Sequence, residues 1–196
     1  MNKNFSTIVF DWSGVFCLPG ELFSHEIFRN FGSLDEVNLE TKDIQREYYT
    51  DKISCEEFWN KVISHFKIKD IAPEEFNNAY IASPVIWPDM LVEAMEIKKH
   101  FQTILFSNLT AEMMRHIIEK YNVLDYFHRA VFSNAIGLMK PSAESFEYIA
   151  RVAEKPPCDI LFIDDSQTNV QSAGKLGFQT YLFTDPRVFI KDFHAD

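Results

Sequence analysis

The residues with chemistry to offer stand at the ends of apolar runs. Asp11 closes Ile8-Val9-Phe10 and opens the Gly-containing stretch Asp11-Trp12-Ser13-Gly14-Val15. Ser107-Asn108 follows Ile104-Leu105-Phe106, Lys140 stands just ahead of Pro141, and Asp164-Asp165 follows Ile160-Leu161-Phe162-Ile163. A carboxylate leaving the C-terminal end of a buried strand sits where open α/β sheets bind ligands. One carboxylate nucleophile, one hydroxyl, one lysine and one acidic pair could together hold a phosphoryl group and a divalent cation.

These groups need a scaffold, and the pattern between them describes one. After the first strand, Thr7 to Phe10, the stretch from about Pro19 to Pro84 shows helix-like segments, at Leu22–Phe31, Leu34–Tyr49, Cys55–Phe66 and Pro73–Ala82. Ser54 with Glu57 three residues later reads as a capping box, and Pro73 followed by two glutamates suits a first helical turn. Beyond Pro88, helix and strand alternate. Met90, Ala94, Ile97 and Phe101 share one helical face before the strand Thr103–Phe106. Met113, Ile117 and Tyr121 share another before Ala130–Phe132, and Phe146, Ile149, Ala150 and Ala153 a third before Asp159–Ile163. Thr168–Leu176, ended by Gly177, and a last strand Thr180–Phe183 complete the series. Such alternation implies parallel strands with right-handed crossovers, an α/β core carrying a helical subdomain.

Composition narrows the function classes. A chain of 196 residues can bury one sizeable core with a small inserted module, and 46% hydrophobic residues argue against disorder. The net charge of −10 argues against a nucleic-acid partner, since phosphate backbones are bound by clustered Lys and Arg. It leaves room for a small anionic substrate beside a metal ion, which inverts the local field. Cys17, Cys55 and Cys158 show neither metal-ligand spacing nor a disulfide framework. The N-terminus lacks a signal-like apolar region and no segment reaches membrane-span length, so a cytoplasmic protein is the expectation, monomer or homodimer, with no membrane partner.

The four motifs in this order, Phe10-Asp11-Trp12-Ser13-Gly14-Val15, Phe106-Ser107-Asn108, Gly137-Leu138-Met139-Lys140-Pro141 and Phe162-Ile163-Asp164-Asp165-Ser166, resemble those of the haloacid dehalogenase-like hydrolase superfamily from about Ile8 to Leu182. The resemblance implies a Rossmann-like parallel sheet, residues 1–18 and 85–196, with a small helical cap, 19–84, inserted after the first strand. It implies a phosphatase acting on a small phosphorylated metabolite with Mg²⁺ as cofactor. Asp11 is then nucleophile and metal ligand, with Asp165 and the Ser13 carbonyl completing the protein ligands and Asp164 and Asn169 supporting them. Ser107 and Asn108 donate to the phosphoryl oxygens, and Lys140 neutralises both the phosphoryl group and Asp11.

One residue departs from that pattern. Phosphatases of the superfamily carry Asp-x-Asp in the first motif, where this chain has Asp11-Trp12-Ser13. The missing carboxyl protonates the leaving oxygen and later activates water, roles worth about 10²–10⁴-fold that a serine fills poorly. P-type ATPases carry Thr there and keep a long-lived aspartyl-phosphate. Phosphonoacetaldehyde hydrolases carry Asp-Trp-Ala-Gly, close to this chain, and need a Schiff-base lysine from the cap, for which Lys52, Lys61, Lys67 and Lys69 are available. Haloacid dehalogenases also lack the second Asp but use no metal, and the acidic pair speaks for one. His25 is the nearest residue in sequence to replace the acid, although as a lone histidine it reads as a surface group. The competing functions are therefore a C–P hydrolase and a catalytically impaired relative that keeps the metal site for binding. Taken singly, each motif has a plainer reading: Asp11 caps a turn, Ser107 or Asn108 caps the helix near Thr110, Lys140 is a surface lysine, and the acidic pair is a helix N-terminus. Trp12, Trp59, Trp87 and the nineteen phenylalanines read as packing.

Overall fold

The computed structural model describes residues 4–18 and 22–195. Along the chain run β1 (Thr7–Phe10), β2 (Cys17–Leu18), α1 (Leu34–Tyr49), α2 (Cys55–Phe66), α3 (Pro73–Ala82), β3 (Val85–Ile86), α4 (Pro88–Lys98), β4 (Gln102–Ser107), α5 (Ala111–Tyr121), β5 (Arg129–Phe132), α6 (Ser133–Ile136), α7 (Ala143–Ala153), β6 (Ile160–Asp164), α8 (Gln167–Lys175), β7 (Gln179–Leu182) and α9 (Pro186–His194). The main sheet has the order β5-β4-β1-β6-β7, and every neighbouring pair is parallel.

The three central strands are buried along almost their whole length, as expected where helices cover both faces. Their period-two alternation divides the core. Ile8, Phe10, Leu105, Leu161 and Ile163 pack with Met90, Ala94, Ile97, Met113 and Ile117 on one side. Val9, Ile104, Phe106, Ile160 and Phe162 pack with Phe146, Ile149 and Ala173 on the other. These are the helical stripes read from the sequence, so the register of each core element follows from its apolar pattern.

Chain order makes β1 the pivot: the chain leaves β1 for β4 on one side and returns for β6 on the other. Such a switch of direction opens a crevice beyond the C-terminal strand ends.

The helices α1 to α3 stand between β2 and β3, which pair antiparallel with Cys17 opposite Ile86 and Leu18 opposite Val85. Both α1 and α2 begin with capping boxes, Ser33 with Glu36 and Ser54 with Glu57. The insertion is filled by stacked aromatics: Phe23 on Phe28 (4.8 Å between ring centroids), Phe58 on Trp59 (4.8 Å) and Trp59 on Phe76 (5.2 Å). These rings are continuous with the β1 side of the main core.

Three details differ from the sequence reading. Leu22–Phe31 is not an α-helix; only Glu26–Asn30 coil, as a 3₁₀ turn that His25 caps and Phe31 and Gly32 (φ +128°) end. The β2–β3 ribbon was not expected, because two-residue strands leave no periodicity. Nor was α9, which Asp185 caps and which buries Phe189 and Phe193 against β1 and α4. The expected junction at Pro19 lies outside the described residues. Among the described residues no helix is long and apolar enough to cross a membrane.

Candidate active site

Asp11 continues the β1–β6 ladder by one rung, its amide donating to the Ile163 carbonyl at 2.9 Å. The chain then turns sharply. The Trp12 carbonyl accepts from the Val15 and Phe16 amides (3.2 and 2.9 Å), and the Trp12 ring stacks on Phe16 in the core. This turn fixes the Asp11 carboxylate, which is only 7% exposed. Its Oδ1 accepts from the Trp12 amide (2.7 Å) and Ser107 Oγ (2.7 Å) and meets Lys140 Nζ at 2.9 Å. Among the described residues no donor is recorded at Oδ2.

Ser107 ends β4 beside β1, so its hydroxyl reaches Asp11 directly. Neither Ser107 nor Asn108 caps α5; Thr110 does, accepting from the Met113 amide. The Asn108 side chain is occupied elsewhere than expected. Its Nδ2 donates to the Lys140 carbonyl (2.9 Å) and its Oδ1 accepts from the Lys140 amide (3.0 Å). This two-point clamp holds the loop whose lysine enters the site. Asn108 therefore acts first on Lys140, although it also lines the cleft.

Lys140 is not a surface residue. It is 2% exposed, lies between the Phe106 and Phe162 rings, and joins Asp164 Oδ2 (2.7 Å) to Asp11 Oδ1. Burial alone would lower its pKa; the two carboxylates outweigh burial and raise it, so the ammonium stays charged. For Asp11, burial is the largest influence and pushes its carboxyl up to about 7, helped by the Asp164 charge and opposed by Lys140 and Ser107.

The adjacent acids differ. Asp164 is fully buried and surrounded by donors: Lys140, the Ser166 amide (2.8 Å to Oδ1) and Asn169 Nδ2 (3.1 Å to each oxygen). Asp165 faces the cleft, its pKa raised by partial burial and by the Asp164 charge. One oxygen from each of Asp11, Asp164 and Asp165 lies within 4.8 Å of the others. Gly14 makes this approach possible. At φ +80°, a Cβ there would lie 2.1 Å from Asp165 Cγ and Oδ2. In the sequence Gly14 is only part of the stretch that follows Asp11; its contact with Asp165 depends on β1 and β6 being neighbours.

These side chains surround a cleft of about 240 Å³, bounded by Asp11, Ser13, Asn108, Leu109, Met139, Asp165, Ser166 and Asn169 from the sheet end and by Tyr49 and Tyr80 from the insertion. The two tyrosines escaped the sequence reading, because only helix packing brings them here. Ser133 Oγ donates to the Tyr49 carbonyl (2.7 Å) and accepts from the Leu109 amide (3.1 Å), tying the end of α1 to the site.

Other candidates fall away from the cleft. His25 Nδ1 accepts the Ile27 amide and its ring packs on Phe76, outside the cleft lining. Lys52, Lys61, Lys67 and Lys69 are exposed, with Lys61 paired to Glu47, and none lines the cleft.

Comparison with known proteins gives the family and the fold. The chain is 23% identical over 188 residues to a D-ribitol-5-phosphate phosphatase of Bacteroides thetaiotaomicron, covering 89% of each chain. It is 24% identical over 162 residues to a phosphoglycolate phosphatase of Aquifex aeolicus, covering 76% of this chain and 72% of that one. A crystal structure of a haloacid dehalogenase family enzyme from B. thetaiotaomicron, in complex with magnesium and inorganic phosphate, shares the fold with a TM-score of 0.78 at 22% identity, over 92% of this chain and 94% of the other. The family model for haloacid dehalogenase-like hydrolases matches residues 5–177, nearly the full length of the chain, and the chain belongs to that family.

Proposed function

We propose that this hydrolase is a Mg²⁺-dependent phosphatase of small phosphorylated metabolites that works through an aspartyl-phosphate on Asp11. The observation that carries the reading is the Asp11 carboxylate itself. It is buried, fixed through Oδ1 by Ser107 and Lys140, and lines the cleft. A carboxylate held this way is pre-oriented to attack, since its rotamer is set before substrate arrives. The two relatives named as phosphatases of phosphorylated metabolites support the same substrate class.

The donor set fits a hard divalent cation. Asp11 and Asp165 offer carboxylate oxygens to the cleft, the Ser13 main chain lies on the same rim, and Gly14 leaves space for Asp165 beside it. Asp11, the Ser13 carbonyl and Asp165 would hold Mg²⁺. When bound, Mg²⁺ supplies the neutralisation that lets an anionic carboxylate meet an anionic phosphoryl group. Asp164, itself held by Asn169, anchors Lys140 and supports the site from behind rather than binding metal.

In the first step Asp11 Oδ2 bonds to phosphorus as the ester P–O bond breaks, and the leaving oxygen carries away the electron pair. Lys140, kept cationic, offsets the charge on Asp11 and on the transferring group, while Ser107 fixes the carboxylate plane. In the second step water attacks phosphorus of the acyl phosphate, releasing inorganic phosphate and restoring Asp11. With Ser13 in the acid/base position, the first step favours leaving groups that depart without a proton, and the second step is slow. We assign residues 19–84 the role of a cap over the cleft, on the strength of Tyr49 and Tyr80.

A C–P hydrolase would need a lysine from the insertion in the cleft, and none of the four candidates lines it. A purely non-catalytic role gives no reason to bury Lys140 between two carboxylates, which costs desolvation of three charges. A screen of acyl, aryl and alkyl phosphates and phosphonoacetaldehyde with Mg²⁺ tests the proposal. Turnover of acyl and aryl phosphates is expected; turnover of phosphonoacetaldehyde alone would reverse the assignment.

A further inference from the structure

A second and larger hollow, about 410 Å³, opens between α1 and the loop carrying Lys140. Its walls are Lys42, Asp43, Gln45, Arg46 and Tyr49 on α1 and Met139 to Ser142 on the loop. Tyr49 and Met139 also line the catalytic cleft, so the two spaces adjoin at those side chains. The floor is apolar, from Tyr49, Met139 and Pro141, and the size suits a small molecule rather than a protein segment.

Its lining holds three basic residues, Lys42, Arg46 and Lys140, against one acid, Asp43, in a chain of net charge −10. Some basic side chains elsewhere are taken up by ion pairs: Lys61 with Glu47, Lys99 with Glu96, Arg115 with Glu112, and Arg129 with Glu154. Lys42 and Arg46 have no carboxylate within ion-pair distance among the described residues, and Asp43 is the one acid on the rim. The remaining cation of the hollow, Lys140, turns its ammonium inward to Asp11 and Asp164. At positions 42, 45, 46 and 49 the α1 side chains share one face. Counting from Tyr49, Arg46 lies about 4.5 Å and Lys42 about 10 Å along the axis, at 1.5 Å per residue. Tyr49, which both spaces share, is thus the end of this row nearest the catalytic cleft, and Lys42 is its far end.

We propose that this groove seats the non-phosphoryl end of the substrate and selects phosphate esters carrying a second anionic group, recognised by Arg46 and Lys42. The inference rests on the phosphatase reading and adds the chemical class of the substrate. Arg46, with its planar fork, suits a carboxylate or a second phosphate, while Lys42 adds a point charge farther out.

The test compares 3-phosphoglycerate with glycerol 3-phosphate, which differ in a carboxylate against an alcohol. Wild-type kcat/KM should favour 3-phosphoglycerate by about 10-fold or more, and Arg46→Ala should reduce that ratio by roughly 10-fold, as for loss of a charge-assisted hydrogen bond. A ratio that Arg46→Ala leaves unchanged overturns the assignment. Calorimetric binding of both compounds to Asp11→Asn, with and without Arg46→Ala, separates the two claims. If no ester is turned over but Asp11→Asn binds 3-phosphoglycerate more tightly through Arg46, the groove stands and the catalytic reading falls. If turnover occurs without discrimination in kinetics or binding, the groove assignment falls alone.

Discussion

Replacing Gly14 by alanine should weaken the metal site without substituting any proposed ligand. The new Cβ would lie 2.1 Å from Asp165 Cγ, whereas carbons in contact sit about 3.5 Å apart. The Asp165 carboxylate must withdraw by roughly 1.4 Å, far beyond the ±0.2 Å within which metal–ligand distances hold. Alanine at φ +80° adds backbone strain of about 1–2 kcal/mol. Gly14→Ala should therefore lower Mg²⁺ affinity as much as Asp165→Ala does, at least about 10-fold, and lower Tm in chelator. The double variant sharpens the argument. With Asp165→Ala the clash is gone, so adding Gly14→Ala should cost backbone strain and no further affinity, a strong departure from additivity. Isothermal titration with Mg²⁺ and thermal melts in EDTA read both quantities. Wild-type affinity in Gly14→Ala, or losses that simply add in the double variant, would refute the reasoning.

Three further outcomes are expected. Lys140→Met should leave two buried carboxylates without a cation and cost about 3–5 kcal/mol in urea unfolding; a loss below about 1 kcal/mol would mean the buried triad is not held as described. For Asp11, the folded carboxyl takes up its proton at about 7 and the unfolded one near 3.8, about three pH units apart. At about 1.36 kcal/mol each, the cost of its charge has a ceiling of about 4 kcal/mol. That cost is fully present above pH 7 and relieved as pH falls toward 4, so metal-free Asp11→Asn should exceed wild type in stability at pH 8 and lose its advantage near pH 4. A variant less stable than wild type at pH 8 would contradict this. Ser13→Asp should raise alkyl-phosphate turnover by about 10-fold or more and narrow the gap to aryl phosphates; equal rates before and after would show that position 13 does not limit proton transfer.

The sheet and the charged centre were legible because both follow from local pattern. Runs such as Ile104-Leu105-Phe106 fix buried parallel strands, and polar residues placed at their ends must emerge at one edge of the sheet. Asp11, Ser107, Lys140 and Asp164 therefore meet as the motifs imply. What escaped depends on pairing across the chain. Asn108 clamps a residue 32 positions later, so nothing near it in sequence reveals its partner. Gly14 serves Asp165, and Tyr49 and Tyr80 reach the cleft only through the packing of α1 and α3. His25 looked close to the first motif, yet proximity in sequence ended where the chain turned into the insertion. The α9 helix had a readable signal, Asp185-Pro186 ahead of Phe189 and Phe193, hidden by its position after the last strand.

Phosphorylation of Asp11 is the central proposed step, and the slow second step expected with Ser13 makes that species accessible. The direct measurement is acid quench of the protein with Mg²⁺ and an acyl phosphate, followed by peptide mapping by mass spectrometry. One phosphoryl group on the peptide containing Asp11, absent from Asp11→Asn, is the predicted result. Consumption of the acyl phosphate with no label on Asp11, or with continued turnover by Asp11→Asn, would contradict it.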